Sequence, residues 1–286
     1  MKCTTGRGGV RSVAMAAALT VLTACTSSEP SPKPENDRAA TSEFLPALRL
    51  AERSTDRAES ARVRSTTVMG TQLSVEADGA LDWGSALTGT LTITYTGGTT
   101  ADTMRGLGIT SMEARYLSDA YYARMGDAFA EKAGGKHWLR YVYDDLEALG
   151  GGGANFADQM RNTTPNQSVK LLLDCEDVRK VGAETVNGQP TTHYSGTVEV
   201  SDVADAELRQ QLEGAGVTTQ TVDIWVDDQD LLVKKVEKGR MATGELTQTA
   251  YYSDYGVRVS VQKPPAGDTE DFKELLKQQG ALGNTP

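Results

Sequence analysis

The sequence contains few of the side chains that most catalytic and metal sites require. Its 286 residues include two histidines, three cysteines, four phenylalanines and three tryptophans. So few cysteines and histidines argue against a disulfide-bonded scaffold and against most zinc sites. Acidic residues outnumber basic ones by 39 to 29, and the net charge of −10 argues against a nucleic-acid-binding protein. We therefore expect no metal, no cofactor and no nucleic-acid partner.

Signatures of enzymatic chemistry are also missing. The chain has no Gly-x-Ser-x-Gly nucleophile elbow, and the glycine run Gly150–Gly153 is not followed by the Lys-Ser/Thr of a phosphate-binding loop. His193 lies in an alternating, strand-like segment and His137 precedes Trp138, so we interpret both histidines as structural residues. We predict a protein without enzymatic activity.

The N-terminus has the organisation of a bacterial lipoprotein signal. Lys2, Arg7 and Arg11 form a cationic start, and residues 12–23 follow without a charge. This apolar run is shorter than the about 20 residues that a membrane-spanning helix needs, so it is typical of a secretory signal. It ends in Leu-Thr-Ala-Cys at Cys25, which matches the bacterial lipobox, and the Cys25 thiol is the nucleophile that accepts a diacylglyceryl group. The alternative is a plain secretory signal followed by an incidental cysteine.

These features divide the chain into three parts. Residues 1–24 are predicted to be a lipoprotein signal peptide, and residues 25–40 a lipidated anchor and flexible stalk, since prolines, serines and charges dominate there. Residues 41–286 are predicted to be a single lipid-binding domain. Two or more acyl chains on Cys25 make anchoring stable, so we expect the protein on the extracytoplasmic face of the cell membrane.

Most of the domain has a sequence pattern that is typical of β-strands. Residues 86–96 give the clearest signal, because apolar residues such as Leu91 and Ile93 alternate there with threonines. Asn187-Gly188 is a strong turn signal between two strands. Helices are predicted at 42–62, 142–149, 155–161, 168–177, 202–213 and 268–279. Further strands are predicted at 67–77, 111–117, 120–125, 137–140, 180–186, 191–200, 219–226, 231–238, 245–252 and 256–262.

The predicted fold class is α+β, a large curved antiparallel half-barrel sheet of about ten strands with helices packed on its concave side. A sheet this long should curl, and helices on one side then enclose a space. Alternation and helical spacing give the candidate cavity residues. They are Leu91, Ile93, Tyr95, Met112, Ala114, Tyr116, Leu146, Leu149, Phe156 and Met160. A filled core uses the same residue types, so the pattern leaves both possibilities open.

Two smaller features of the domain carry predictions of their own. Gly150–Gly153 is either a flexible joint between helices or the hinge of a lid over the cavity, because glycine tolerates large backbone changes. Cys175 follows an apolar run, Leu171 to Leu173, and we predict that it is buried as a small apolar side chain rather than reactive.

Three segments resemble the actinobacterial lipoproteins of the LppX/LprG type, which are related in fold to LolA, LolB and RseB. The first is 174–194, with Val-Gly-Ala-Glu-Thr-Val-Asn-Gly before a Thr-Thr-His-Tyr strand. The second is 222–235, with Val-Asp-Ile-Trp-Val-Asp before Leu-Leu-Val-Lys-Lys, and the third is Tyr-Tyr-Ser-Asp-Tyr-Gly at 251–256. The resemblance implies a curved half-barrel whose apolar cavity accepts acyl chains of lipids or lipoglycans.

Together these observations predict a membrane-anchored lipoprotein that binds acyl chains of a lipid, lipoglycan or lipoprotein for carriage or presentation at the cell surface. The alternative is a non-enzymatic sensor lipoprotein of the RseB-like type, whose partner is another protein of the envelope. A hydrolase is a third hypothesis, without a nucleophile and base to support it. A large apolar void favours the first hypothesis, and a filled core favours the second.

Overall fold

The computed structural model describes residues 35–150, 152–241 and 244–283. The predicted signal peptide, Cys25 and the stalk up to residue 34 lie outside the described residues. The first helix, α1, begins at Glu35, so it starts within the range predicted as stalk and before residue 41.

The described residues contain one sheet and eight α-helices. The strands are β1 (Ser60–Met69), β2 (Leu73–Asp82), β3 (Thr88–Gly97), β4 (Ser111–Tyr116), β5 (Ala120–Arg124), β6 (Trp138–Val142), β7 (Arg179–Val186), β8 (Gln189–Glu199), β9 (Val217–Val226), β10 (Leu232–Met241), β11 (Gly244–Ser253) and β12 (Thr269–Asp271). The helices are α1 (Glu35–Arg57), α2 (Gly98–Gly106), α3 (Asp127–Ala130), α4 (Tyr143–Leu149), α5 (Gly152–Asn162), α6 (Asn166–Asp174), α7 (Ala206–Gly214) and α8 (Phe272–Gly283).

All twelve strands form one sheet in the order β12-β6-β5-β4-β3-β2-β1-β11-β10-β9-β8-β7. Neighbouring strands are antiparallel, except that β12 runs parallel to β6. Paired residues point to the same side of a sheet, so Val63, Gly79, Leu91 and Ala114 form one row on one face. Buried residues of the helices pack on this face, which we call the inner face, and the opposite side is the outer face. The predicted α+β class with a curved sheet is confirmed.

Turn chemistry explains why several predicted hairpins are correct. Asn187 and Gly188 both adopt positive φ, 51° and 84°, which suits the two-residue turn between β7 and β8. Ser118 and Asp119 connect β4 to β5, which match the strands predicted at 111–117 and 120–125 and pair as a hairpin. The threonine-rich strand is β3, and its threonines at 90, 92 and 94 lie on the outer face because the residues between them are on the inner face.

Two predictions at the N-terminal end are wrong. The first helix was expected to continue to residue 62, but it ends at Arg57, and Glu59 has a φ of 58° before β1 begins at Ser60. Ala61 and Val63 are buried while Arg62 and Arg64 are exposed, a period of two that a strand satisfies and a helix does not. The strand expected at 67–77 is instead a hairpin, because Gly70 has a φ of 50° and the chain turns there between β1 and β2.

The strand expected at 256–262 is absent from the described sheet. Its valines at 257, 259 and 261 are half-buried and alternate with exposed residues, which gives the signal of a strand. The backbone does not join a ladder. Instead, Ser60 Oγ donates to the Val257 carbonyl at 2.7 Å and Arg115 donates to the Gln262 carbonyl at 2.8 Å. The helix expected at 268–279 begins only at Phe272, because Thr269–Asp271 forms β12 beside β6.

Helices α1 and α6 close one half of the inner face, over β8 to β10. Leu48 and Leu172 from these helices and Ile224 from β9 are completely buried. A Cβ atom on Gly196 would lie 2.9 Å from Cβ of Cys175 and 3.0 Å from Leu172, so the backbone of β8 needs glycine there. Cys175 is buried as predicted, and burial raises the pKa of its thiol to about 12. Helices α1 and α6 therefore pack closely on the sheet in this half.

Candidate functional site

The six cavity candidates from the sheet lie together on the inner face. Leu91, Ile93 and Tyr95 belong to β3, and the neighbouring β4 places Met112 opposite Ile93. The remaining two candidates, Ala114 and Tyr116, lie on the same face of β4. Leu91, Ala114 and Tyr116 are buried, whereas Ile93, Tyr95 and Met112 are half-buried. Alternation alone thus predicted one continuous patch of the inner face.

Three of the four helical candidates pack against this patch. Leu146 of α4 is buried, and Phe156 and Met160 of α5 are half-buried against the same core. Leu149 is a correction, because 53% of its surface is exposed. It is the last residue of α4, and Gly150, with a φ of 66°, ends the helix there, so the side chain reaches solvent rather than the sheet.

Sequence reasoning missed the residues that dominate this region. Tyr121 of β5 lies opposite Tyr116, and Tyr141 of β6 lies opposite Tyr121, so one row of tyrosines crosses three strands. Their ring centroids are 5.1 and 5.8 Å apart. The available signal was the period of two within 120–125, which puts Tyr121 and Ala123 on one face of the strand. We call Tyr95, Tyr116, Tyr121, Tyr141 and Tyr143 the tyrosine cluster.

Two phenylalanines cover the tyrosine cluster from the helices. The ring of Phe156 in α5 lies 5.9 Å from that of Tyr121 and 5.5 Å from that of Tyr141. The ring of Phe272, the first residue of α8, lies 4.7 Å from that of Tyr141. Aromatic side chains from three different parts of the chain therefore meet above β5 and β6, where they form an apolar surface with phenol groups in it.

The tyrosine cluster supplies neutral hydrogen-bond donors. Burial raises the pKa of Tyr141 to about 12, and burial, opposed by nearby Arg161, raises that of Tyr143 to about 12 as well. The Tyr143 hydroxyl is buried without a partner in the described part of the chain, and the Tyr95 hydroxyl lies 3.5 Å from the sulfur of Met112. Buried polar groups normally find partners, so these hydroxyls are available to polar groups of a ligand.

A row of small side chains leads from the middle of the sheet to this region. Across β11, β1 and β2 the row consists of Ala250, Ser65 and Ala77, and it continues through Ile93 to Met112. On β10 the row continues with Lys235, which lies opposite Ala250. Lys235 and Ala250 are buried, and the other side chains of the row are half-buried. At about 4.8 Å per strand, the row from Lys235 to Met112 spans about 24 Å. We call it the inner-face trough.

The trough begins at a buried ion pair. Lys235, 5% exposed, places Nζ 3.3 Å from a carboxylate oxygen of Glu237, whose other oxygen accepts a hydrogen bond from Ser168 of α6 at 2.5 Å. Burial lowers the pKa of Lys235 and the Glu237 carboxylate raises it, with a net upward shift. The pair is therefore a fixed, charged boundary between the closed half of the inner face and the trough.

A depression of about 250 Å³ lies on the outer face of β1, β2 and β3. Hydroxyl and charged groups line it. The lining residues are Arg64, Ser65, Thr66, Glu76, Ala77, Asp78, Thr92 and Thr94. Arg64 and Asp78 form an ion pair at 3.1 Å across it. Its polar lining does not suit an acyl chain.

The histidines are held by carboxylates. His193 lies between Glu184 and Asp223, with both N–O distances 2.8 Å, and stacks on Trp225 at 4.1 Å. His137 Nδ1 lies 2.6 Å from Asp268. Within residues 35–150, 152–241 and 244–283, no group of three or more His, Cys, Asp or Glu side chains is arranged to hold a metal ion.

The Gly150–Gly153 segment is a shorter joint than predicted, since Gly152 and Gly153 already belong to α5. Arg161 of α5 joins the two helices. Its guanidinium pairs with Glu147 and, at 3.3 Å, with Asp144 of α4, and it lies 4.7 Å from the centre of the Tyr143 ring. Whether this helix pair opens as a lid remains a prediction.

Sequence comparison places the chain in a family. A Streptomyces coelicolor protein provisionally named a lipoprotein, SCO4650, is 61% identical over 301 aligned positions, which cover 98% of this chain and 100% of that protein. The chain belongs to this lipoprotein family. No protein-family profile matches the sequence. Among the helices in the described ranges, none is long and apolar enough to cross a membrane.

Solved structures similar to this lipoprotein include two mycobacterial proteins. LprF from Mycobacterium bovis is 16% identical with a TM-score of 0.48, and the match covers 77% of this chain and 96% of LprF. The lipoprotein LppX from Mycobacterium tuberculosis is 18% identical with a TM-score of 0.46, and the match covers 76% of this chain and 100% of LppX.

Proposed function

We propose that this lipoprotein binds acyl chains of a lipid, lipoglycan or lipoprotein in the inner-face trough and carries or presents it at the cell surface. Lipidation of Cys25 would anchor it on the extracytoplasmic face of the membrane. The single observation that carries the proposal is the incomplete cover of the inner face. Ser65, Ala77, Ile93 and Met112 face the helices and are still only half-buried.

The dimensions of the trough support an acyl chain as its occupant. A bilayer's hydrocarbon core is about 30 Å thick and contains two leaflets, so one acyl chain extends about 15 Å. The half-buried part of the trough, from Ser65 to Met112, crosses three strand spacings and spans about 14 Å, close to that length. Small side chains in its middle leave volume above the sheet, and the tyrosine cluster adds an apolar end with hydrogen-bond donors.

Binding of this kind needs no covalent chemistry by the chain. Burial of acyl chains is favourable by roughly 25 cal/mol for each Å² of apolar surface removed from water. The neutral phenols of the tyrosine cluster can donate to ester or hydroxyl oxygens without the cost of burying a charge. The trough therefore has the properties of a carrier site.

Native mass spectrometry of the full chain, purified from an actinobacterial host, tests this proposal. We expect a bound mass that organic solvent extracts as an acyl lipid. Ala77→Phe fills the middle of the trough and should abolish that mass. Glu76→Phe, the matched control, places the same ring on the exposed outer face and should leave the lipid in place.

A wild-type protein that carries no lipid, and takes up none from lipid vesicles, would contradict the proposal. In that case the sensor hypothesis, with another protein as the partner, becomes the better account of the fold. Equal loss of lipid in the two variants would show that the phenylalanine acts through stability rather than by occupying the trough, so thermal unfolding of both variants accompanies the measurement.

A further inference from the structure

The last part of the described chain covers the tyrosine end of the trough. Residues 262–278, which we call the C-terminal strap, run from the outer face past β4 to the edge of the sheet. There they add the three-residue strand β12 beside β6 and continue into α8. Phe272, at the start of α8, packs against Tyr141. The strap thus covers the inner face at its tyrosine end.

The first half of the strap is attached through charged groups. Lys263 Nζ lies 2.7 Å from a carboxylate oxygen of Asp119, in the turn between β4 and β5. Asp268 accepts a hydrogen bond from the His137 backbone at 2.9 Å and lies 2.6 Å from the imidazole of the same residue. Each contact joins the strap to a different strand end.

The second half of the strap is also attached through pairs of opposite charge. Glu270 lies 2.6 Å from Lys136. Asp271 accepts two hydrogen bonds from Arg140 of β6, at 2.7 and 3.0 Å. Lys273 of α8 lies 2.5 Å from Asp145 of α4 and so connects the strap to the helix pair over the tyrosine cluster.

Apolar packing contributes little to the attachment. Pro264 is the one buried residue within 262–278, Phe272 is half-buried, and Leu276 is 37% exposed. The contrast is with α1 and α6, whose Leu48 and Leu172 are completely buried. Two of the pairs, Lys263 with Asp119 and Lys273 with Asp145, are exposed, and exposed ion pairs add little stability individually and are screened by salt. The pairs made by Glu270 and Asp271 are half-buried and are screened less, whereas buried apolar contacts do not depend on salt in this way.

We propose that the C-terminal strap is an ion-pair-held gate, through which a lipid enters and leaves the tyrosine end of the inner-face trough. This inference rests on the proposed lipid-binding function. The other end of the inner face is closed by the apolar packing of α1 and α6, so the weakly held strap is the part that separates at low cost.

Release of a fluorescent lipid tests the gate. The full chain is loaded with an NBD-labelled diacylglycerol, and its transfer to unlabelled phosphatidylcholine vesicles is followed in 0.05 and 1 M NaCl. The Debye length falls to about 3 Å at 1 M, so the exposed strap pairs, Lys263 with Asp119 and Lys273 with Asp145, are screened. We expect release to accelerate at least about fivefold at the higher salt concentration.

Matched variants separate the strap from other ion pairs. Arg140→Gln combined with Lys273→Gln should give fast release already at low salt, with little further salt effect. Arg64→Gln removes an exposed pair with Asp78 on the outer face and should behave as wild type. Zero-length carbodiimide cross-links between Lys273 and Asp145, confirmed by peptide mapping, should slow release. A release rate that does not change with salt concentration, with these substitutions or with the cross-link would overturn the gate.

Hydrogen exchange distinguishes failure of the gate from failure of the lipid proposal. In the ligand-free chain, amides of 262–278 should exchange faster at 1 M than at 0.05 M NaCl, while those of β9 should not change. A chain that shows this opening but binds no lipid would contradict only the proposed function. Strap amides as protected as those of β9 at both salt concentrations would contradict the gate itself.

Discussion

Apolar side chains line both halves of the inner face, but the helices cover the two halves to different extents. Over β8 to β10, the helices α1 and α6 pack closely on the sheet, and Gly196 of β8 is needed because Cys175 and Leu172 approach it so closely. Over β3 to β6, the covering helices are α4, α5 and α8, and they leave Ile93 and Met112 half-buried. On the proposed function, the same sheet is a stabilising core at one end and a binding surface at the other.

Polar contacts follow the same division. In the closed half they include fully buried ones, such as that of the Thr55 hydroxyl of α1, which accepts a hydrogen bond from the Leu232 backbone at 3.1 Å. In the other half, the covering elements are tied down by exposed pairs such as Lys273 with Asp145. We therefore expect stability to come mainly from the first half and exchange of ligands to take place at the second.

The largest expected effect is at the boundary between the halves. Glu237→Leu removes the carboxylate partner of the buried Lys235 ammonium, and an unpaired buried charge costs about 3–5 kcal/mol. Urea unfolding measures this loss. The double variant Lys235→Met with Glu237→Leu removes both charges and should recover most of the stability. A double variant as unstable as the single one would show that the charge itself is not the cause.

Deletion of apolar side chains compares the two halves directly. Leu172→Ala in the closed half should lower the free energy of unfolding by about 2–5 kcal/mol, because it leaves a cavity under α6. Met112→Ala, at a half-buried trough position, should cost about 1 kcal/mol, because less apolar surface is returned to water there. Equal losses in urea unfolding would mean that the trough is packed as tightly as the rest of the core.

Acid should loosen the strap before it unfolds the closed half. Hydrogen bonds from the His137 side chain and backbone hold the pKa of Asp268 below its usual value of 3.8. A carboxylate whose pKa is lower in the folded state stabilises the fold above the unfolded-state pKa, and this contribution is lost as pH falls through the folded-state value. Asp268→Asn should therefore have a weaker pH dependence of strap hydrogen exchange below about pH 4 than wild type.

Sequence periodicity predicted one side of the candidate site well. Alternation put Ile93 and Met112 on a common face because β strands of any sheet have a period of two. It did not predict that Tyr121 and Tyr141 would join them, since strand order depends on contacts between distant segments. Nor did it predict that β1 pairs with β11, which brings Ser65 and Ala250 together.

The wrong predictions arose because a local pattern does not contain the tertiary surroundings of a residue. Leu149 has the helical spacing of a core residue, but its helix ends at Gly150 and leaves it exposed. The valines of 257–261 alternate like a strand because the chain crosses the outer face with one side covered. The attachment of the strap depends on ion pairs between residues more than 100 positions apart, such as Arg140 with Asp271, and no local pattern indicates them.

Photo-cross-linking tests the central claim most directly. A diacyl lipid with a diazirine in its acyl chain is bound to the full chain, irradiated, and the adducts are located by peptide mapping. The account predicts adducts on the inner-face residues of β2 to β6, including Ala77, Ile93 and Met112. Adducts confined to the outer face or to β8 and β9 would contradict it.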